Sequence, residues 1–263
     1  MRRLWRVRAS TGASLVLLIL CAAGCSGSLY NWQVRTIATP VALSFDQAPL
    51  EAKPVAILPA LSMPALRGTE VGLSYIFAQI LKTLTPNWTV VGEQAVLTGI
   101  NKHGLGTAYT LMRRDAEDTY LLGHESLRKI GAALGVRYIF QPRLASFRQI
   151  MTERWKVPAF DIRVAQTRSS LLQLSLQLWD AETGELIWSS VAEAILANET
   201  ISQDPVFFED AARVALGSLM ADFLNRRTAS IYTPLNDVLD KLVREAIPEE
   251  QKSSDSGGDP KKK

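Results

Sequence analysis
The chain has 263 residues, 47% of them hydrophobic, 21% charged and 8% aromatic, enough for one large domain or two small ones with a real core. The formal charge is +3, but Arg2, Arg3, Arg6 and Arg8 all precede residue 25, and the remainder carries 25 basic against 26 acidic residues. That balance gives no general electrostatic case for nucleic acid, and ordinary Gly and Pro counts (16 and 12) exclude collagen-like and low-complexity classes.

At the N-terminus, the four arginines precede a short apolar run, Ala13 to Cys21. This is the layout of an export signal, and the run is shorter than the ~20 apolar residues that span a bilayer. Ala22-Ala23-Gly24-Cys25 follows and resembles the bacterial lipobox, with Ala22 where that motif prefers Leu. The resemblance implies cleavage after Gly24 and lipidation of Cys25. By analogy with enterobacterial lipoproteins, Ser26 implies sorting to the outer membrane, with the body facing the periplasm. The two cysteines, Cys21 and Cys25, both lie here, so the body has no thiol for a disulfide, a zinc thiolate site, an iron–sulfur cluster or a nucleophile.

Residues 1–24 are therefore expected to be a signal peptide and 25–53 a lipidated tether. A body over 54–225 opens with the buried strand Val55-Ala56-Ile57-Leu58. Leu73, Ile76, Phe77, Ile80, Leu81 and Leu84 then fall on one helical face, with Thr69 placed to cap the helix and Pro86-Asn87 to break it. Trp88 to Val91 reads as a strand, Glu93 to Ile100 as a helix, Asn101 to Gly106 as a loop, and about 107–122 and 124–134 as two helices, the second stopped by Gly135. Val136 to Phe140 begins a strand that continues to about Trp155, with a turn at Val157-Pro158-Ala159. Leu172 to Trp179 alternates leucines with mostly polar partners, Asp180 to Glu185 is a hairpin turn with Gly184 at positive φ, and Leu186 to Val191 returns. Asp204 and Pro205 open a helix with Phe208, Ala212, Ala215, Leu219 and Phe223 on its inner face. Residues 226–250 hold an amphipathic helix from about Pro234 to Ile247, and 251–263 form a disordered tail. The order predicts a single α/β domain, a mixed sheet with an antiparallel meander and helices packed on it.

The opening strand and helix, the Trp88 to Val91 segment and above all the hairpin Leu172 to Ser189 resemble the envelope lipoproteins related to the curli-secretion protein CsgG. The N-terminal domain of TolB and the penicillin-binding-protein activator LpoB share that fold. The resemblance covers about 54–225 and implies a non-catalytic protein acting by contact with a periplasmic or outer-membrane partner in envelope assembly, secretion or cell-wall synthesis. The alternative is a subunit of a CsgG-like oligomeric export channel. Only Phe147 to Leu171 has the length of a pore hairpin, and it carries Arg148, Arg154, Lys156, Arg163 and Arg168, so no lipid-facing barrel strand is expected. With Trp155 these cations form a candidate interaction surface for an anionic glycan or headgroup; read plainly, they are charges that guard a hairpin edge.

An envelope hydrolase is the reading furthest from this one. No HExxH, GxSxG or Walker A sequence occurs. His103 and His124 read as surface residues, and Asp115, Glu117 and Asp118 beside Arg113 and Arg114 as a solvated helix face. No catalytic residue, metal or cofactor is expected.

Overall fold
A computed structural model describes residues 29–41, 45, 48–157, 162–199 and 206–233. In chain order the elements are β1 Leu29–Ala38, α1 Ala48–Ala52, β2 Val55–Ile57, β3 Leu61–Ser62, a 3-10 turn Pro64–Leu66, α2 Leu73–Leu84, β4 Val90–Val91, α3 Glu93–Lys102, α4 Gly106–Thr119, α5 His124–Leu134, β5 Tyr138–Val157, β6 Ile162–Asp180, β7 Leu186–Glu199, α6 Phe208–Leu224 and β8 Ala229–Tyr232. They build one mixed α/β domain around an eight-stranded sheet ordered β4-β2-β5-β6-β7-β1-β8, with β3 beside β5. β2 pairs in parallel with β4 and β5, while β5-β6-β7-β1-β8 is antiparallel throughout.

The predicted α/β class is thus what the chain adopts, and its alternations set the two sheet faces. Leu172, Leu174, Leu176 and Leu178 of β6, Trp188, Ala192, Ala194 and Leu196 of β7, and Trp32 and Val34 of β1 lie on one face beneath α2 and α6. This is the larger core. α6 is buried from Ala211 to Phe223 except at Arg213, because it lies between α2 and the strands. Phe223 packs tilted against Trp188 at 5.0 Å and meets Phe140 edge-on at 6.2 Å. Burial on this scale drives the fold, at about 1.5–3 kcal/mol for each large side chain taken from water.

The second face carries a smaller core. Ala56, Leu58, Ile139 and Trp179 meet Val96 and Ile100 of α3, Met112 and Ala116 of α4, and Leu127 and Ile130 of α5. At its margin, Gly184 turns the β6–β7 hairpin at φ 76° beside the His124 ring, while Asp180 accepts hydrogen bonds from the backbone N–H of Glu182 and Thr183 and pairs with Arg137 at 2.8 Å.

Several expectations change. Residues 29–38, read as part of a tether, form β1, whose ten residues pair with β7 from Leu29↔Glu199 to Ala38↔Ser190. Trp32, Val34, Thr36 and Ala38 are buried, Thr36 through a hydrogen bond, and a strand with one buried face pairs rather than dangles. The stretch 226–250 opens with the strand β8. α2 starts after Gly72, at φ 89°, and not at Thr69. Trp88 is buried but precedes its two-residue strand. Gly106, read as loop, opens α4. The signal peptide, Cys25, the Pro158 turn, Asp204-Pro205, the Pro234–Ile247 helix and the 251–263 tail lie outside the described residues.

Candidate interaction surface
The cation group is divided by the register of β5. A bulge between Leu144 and Ser146 adds one residue, so that Phe140 and Leu144 lie opposite Leu178 and Leu174, whereas beyond it Phe147 and Gln149 lie opposite Leu172 and Ser170. Phe147 and Gln149 stay on the large-core face: Phe147 meets Phe208 edge-on at 5.2 Å, and Gln149 donates to the Val206 carbonyl at 2.8 Å. Arg148, opposite Leu171, is turned to the other face and is exposed. Arg168 shares the parity of Ser170 and Leu172, is half-buried, and has an Nε with no hydrogen-bond partner. Arg148 and Arg168 therefore do not form one patch. Arg154, Trp155 and Lys156 on β5 and Arg163 on β6 are placed by backbone alone, with Trp155 opposite Ala165 and Lys156 opposite Arg163.

A different surface emerges on the second face. Among the described residues, its core takes nothing from β7, β1 or β8, so half of this face is bare. Ile37 is 64% exposed, Ile231 58%, Val191 48% and Ile195 43%. Register puts them on one face: Ile37 lies opposite Val191, Ile231 is opposite Arg35, which is opposite Glu193, and Ile195, between Gln33 and Leu171, is separated from Ile37 and Val191 by that charged row. Directly opposed side chains on an antiparallel pair are ~4.5–5.5 Å apart at Cβ. Ile150 and Arg148 continue the face onto β5. The result is apolar side chains interleaved with Gln33, Arg35, Gln173 and Glu193, a mixture suited to contact with another polypeptide. The surface has no sequence motif because it joins four strands from distant parts of the chain; the alternation of Ile37, Val191 and Ile195 with polar residues was its one local signal.

The edge strand of this half is fixed from below. Asp222 of α6 is fully buried and accepts hydrogen bonds from Thr36 on β1, from Ser230 Oγ at 2.7 Å and from Tyr232 Oη at 2.6 Å. Burial, and next the bond to Asp222, push the Tyr232 hydroxyl up to about 12. One carboxylate thus ties β8 and β1 to α6.

The other candidate groups are committed to structure. Glu117 pairs with Arg113 at 3.4 Å and Arg67 at 3.3 Å, and Arg113 donates to the Ala60 carbonyl at 3.0 Å. Asp115 and Asp118 are exposed, as a solvated helix face would be. His103 Nδ1 lies 2.9 Å from the Gly99 carbonyl and His124 Nε2 3.4 Å from that of Glu182. Arg143 stacks over Tyr120 at 3.8 Å and donates to the Ala116 carbonyl, closing the end of α4. A cleft of about 350 Å³ beside α5 includes Lys53, Arg128, Arg137 and Glu182, and Lys53 and Arg137 pair with that carboxylate. Among the described residues no cluster of His, Cys, Asp or Glu fits a metal ion, and no helix is long and apolar enough to cross a membrane.

No family model and no curated protein matches the chain. Among solved structures it is similar to the PelC dodecamer from Paraburkholderia phytofirmans, at 11% identity and a TM-score of 0.35 over 72% of this chain and 95% of that one. It is also similar to lipoprotein GNA1162 from Neisseria meningitidis, at 13% and 0.37 over 66% and 96%. The LpoB C-terminal domain from Escherichia coli is a third, at 14% and 0.36 over 57% and 87%. Likeness this loose assigns the chain to no family.

Proposed function
We propose that the chain is a non-catalytic lipoprotein of the bacterial outer membrane, anchored through Cys25, whose periplasmic body works by binding another envelope protein through the bare half of its sheet. The observation that carries the contact reading is the set Ile37, Val191, Ile195 and Ile231, exposed on a single face. Large apolar side chains grouped in this way mark contact sites on soluble bodies. The anchor reading rests on the basic start, the apolar run and Ala22-Ala23-Gly24 before Cys25. Arg148, exposed on the same face as Ile150, is proposed as the charged border of this surface.

Two experiments separate the parts of this reading. Cys25→Ala should abolish incorporation of a fatty-acid probe and release the protein from outer-membrane fractions; persistent labelling contradicts the anchor. Ile37→Arg with Ile195→Arg should remove the crosslinked complexes that the unmodified protein forms in membranes while leaving its thermal melt in place. Unchanged complexes would move the contact site elsewhere.

A further inference from the structure
We infer that, when no partner is bound, the bare half-face closes against a second copy of the chain, sheet on sheet, about a twofold axis that runs along the strands between β1 and β7. This inference rests on the reading of that face as a contact surface and names its resident occupant. The pattern of the face selects a second copy. Across the β1–β7 pair, Ile37 lies opposite Val191, Arg35 opposite Glu193 and Gln33 opposite Ile195. A twofold axis parallel to the strands keeps each residue at its height and exchanges the two strands, so β1 of one copy lies over β7 of the other. Val191 then meets Ile37, Arg35 meets Glu193 twice, and the aliphatic stem of Gln33 covers Ile195. In the same charged row, one strand further out, Ile231 meets Gln173.

Charge, tether and size agree with this arrangement. Among the described residues Arg35 and Glu193, although opposite each other, form no ion pair or hydrogen bond within the chain, so both charges are left for a facing surface. Packed sheets stand about 10 Å apart with their strands within about 30° of each other, a gap that an arginine and a glutamate bridge. An axis across the strands would instead set Arg35 over Arg35 and Glu193 over Glu193, a like-charge contact that disfavours it. The axis along the strands also brings the two Leu29 ends of β1 out at one end of the dimer. Leu29 lies four residues after Cys25, so both proposed anchors reach a single membrane. From β8 to β6 the face is three strand spacings wide, about 14 Å, and residues 33 to 37 run about 17 Å along it. A contact this small sits at the low end of protein interfaces. The dimer is therefore reversible, and a partner that takes the same side chains displaces the second copy.

The test uses the full chain, extracted from membranes and purified, with sedimentation velocity as the readout and circular-dichroism melts as the check on folding. The parent should dimerise reversibly as its concentration rises. Arg35→Glu leaves two acidic residues in the charged row and Glu193→Arg two basic ones. Each variant alone should dimerise about tenfold more weakly, or less still, through like-charge repulsion across the interface. An equal mixture of the two variants should recover the dimer, with one chain of each kind. A parent that stays monomeric at every concentration, variants that dimerise as the parent does, or a mixture that stays monomeric overturns the inference. If a single variant does not fold, the chain carrying both Arg35→Glu and Glu193→Arg decides, since it keeps one charge of each sign in the row. It should dimerise with itself as the parent does and exclude a tagged parent; free mixing with the parent, or no dimer, overturns the inference. Failure here leaves the partner reading standing, because that reading is measured by complexes with another envelope protein that are lost in the Ile37→Arg and Ile195→Arg chain.

Discussion
Two halves of the same sheet face solve the same problem differently. At the β2–β5 end, Ala56, Leu58, Ile139 and Trp179 are apolar, Gln141 and Arg143 are buried with carbonyl partners, and three helices close over them. At the β7–β1–β8 end, the corresponding positions mix Ile37, Val191 and Ile195 with Gln33, Arg35 and Glu193, and the exposed side chains remain in reach of water. Along β6 the change is visible within one strand: Gln173, Ser175 and Gln177 are half-buried, and Trp179 is buried under the helices. A strand face whose polar residues find hydrogen-bond partners beneath helices is a core, whereas one whose polar neighbours stay exposed is a surface that can be both wet and covered.

The largest expected effects come from crossing that boundary by mutation. Ile130→Ala, at a fully buried site of the covered half, should cost about 3 kcal/mol, the usual range for a buried large-to-alanine change. Ile195→Ala, on the bare half, should cost less than about 1 kcal/mol. Chemical denaturation of both proteins checks this, and equal costs would erase the distinction between the halves. Asp222→Ala removes the acceptor shared by Thr36, Ser230 and Tyr232 and should cost about 3 kcal/mol, near 1 kcal/mol for each hydroxyl left unpaired. Amide exchange should show β8 and β1 opening while α3 to α5 stay protected; uniform exchange would mean that the edge is not separately secured.

Gly184→Val tests the margin of the covered half. Its φ of 76° disfavours a branched side chain, and a Cβ there would lie 2.5 Å from the His124 ring. A loss of about 1–2 kcal/mol is expected, and an unchanged melt would contradict the turn geometry. The smallest effect is a pH slope. Tyr232 in the fold is raised to about 12 from an ordinary value near 10, so the unfolded chain loses its proton first. Stability from this group is complete below pH ~10 and falls as pH rises from there toward ~12. Tyr232→Phe should flatten that part of the stability curve, and an identical slope in both proteins would rule out the buried phenol.

Much of the fold could be read from local pattern. The Leu73–Leu84 stripe, the Leu172–Leu178 alternation, Gly135 after α5 and Gly184 in the hairpin each state their own conformation through periodicity or positive φ. β1 escaped because its partner Glu199 end lies far along the chain, although Trp32, Val34 and Thr36 already alternate with Gln33 and Arg35. β8 has only four residues, and its place depends on Asp222, which sequence alone shows as one acid in an apolar helix. The cations of the 148–168 stretch looked like one cluster because no sequence signal announces the bulge that sends Arg148 and Arg168 to opposite faces. The bare half-face is a property of strand order, not of any segment.

Photo-crosslinking in living cells tests the central claim most directly. A photoreactive residue is placed singly at Ile37 or Val191 on the bare half, and at the exposed Tyr75 of α2 as a control. Adducts to another envelope protein from positions 37 and 191, and none from position 75, are the predicted result. Adducts from position 75 alone, or from all three positions equally, would contradict a partner surface on the bare half of the sheet.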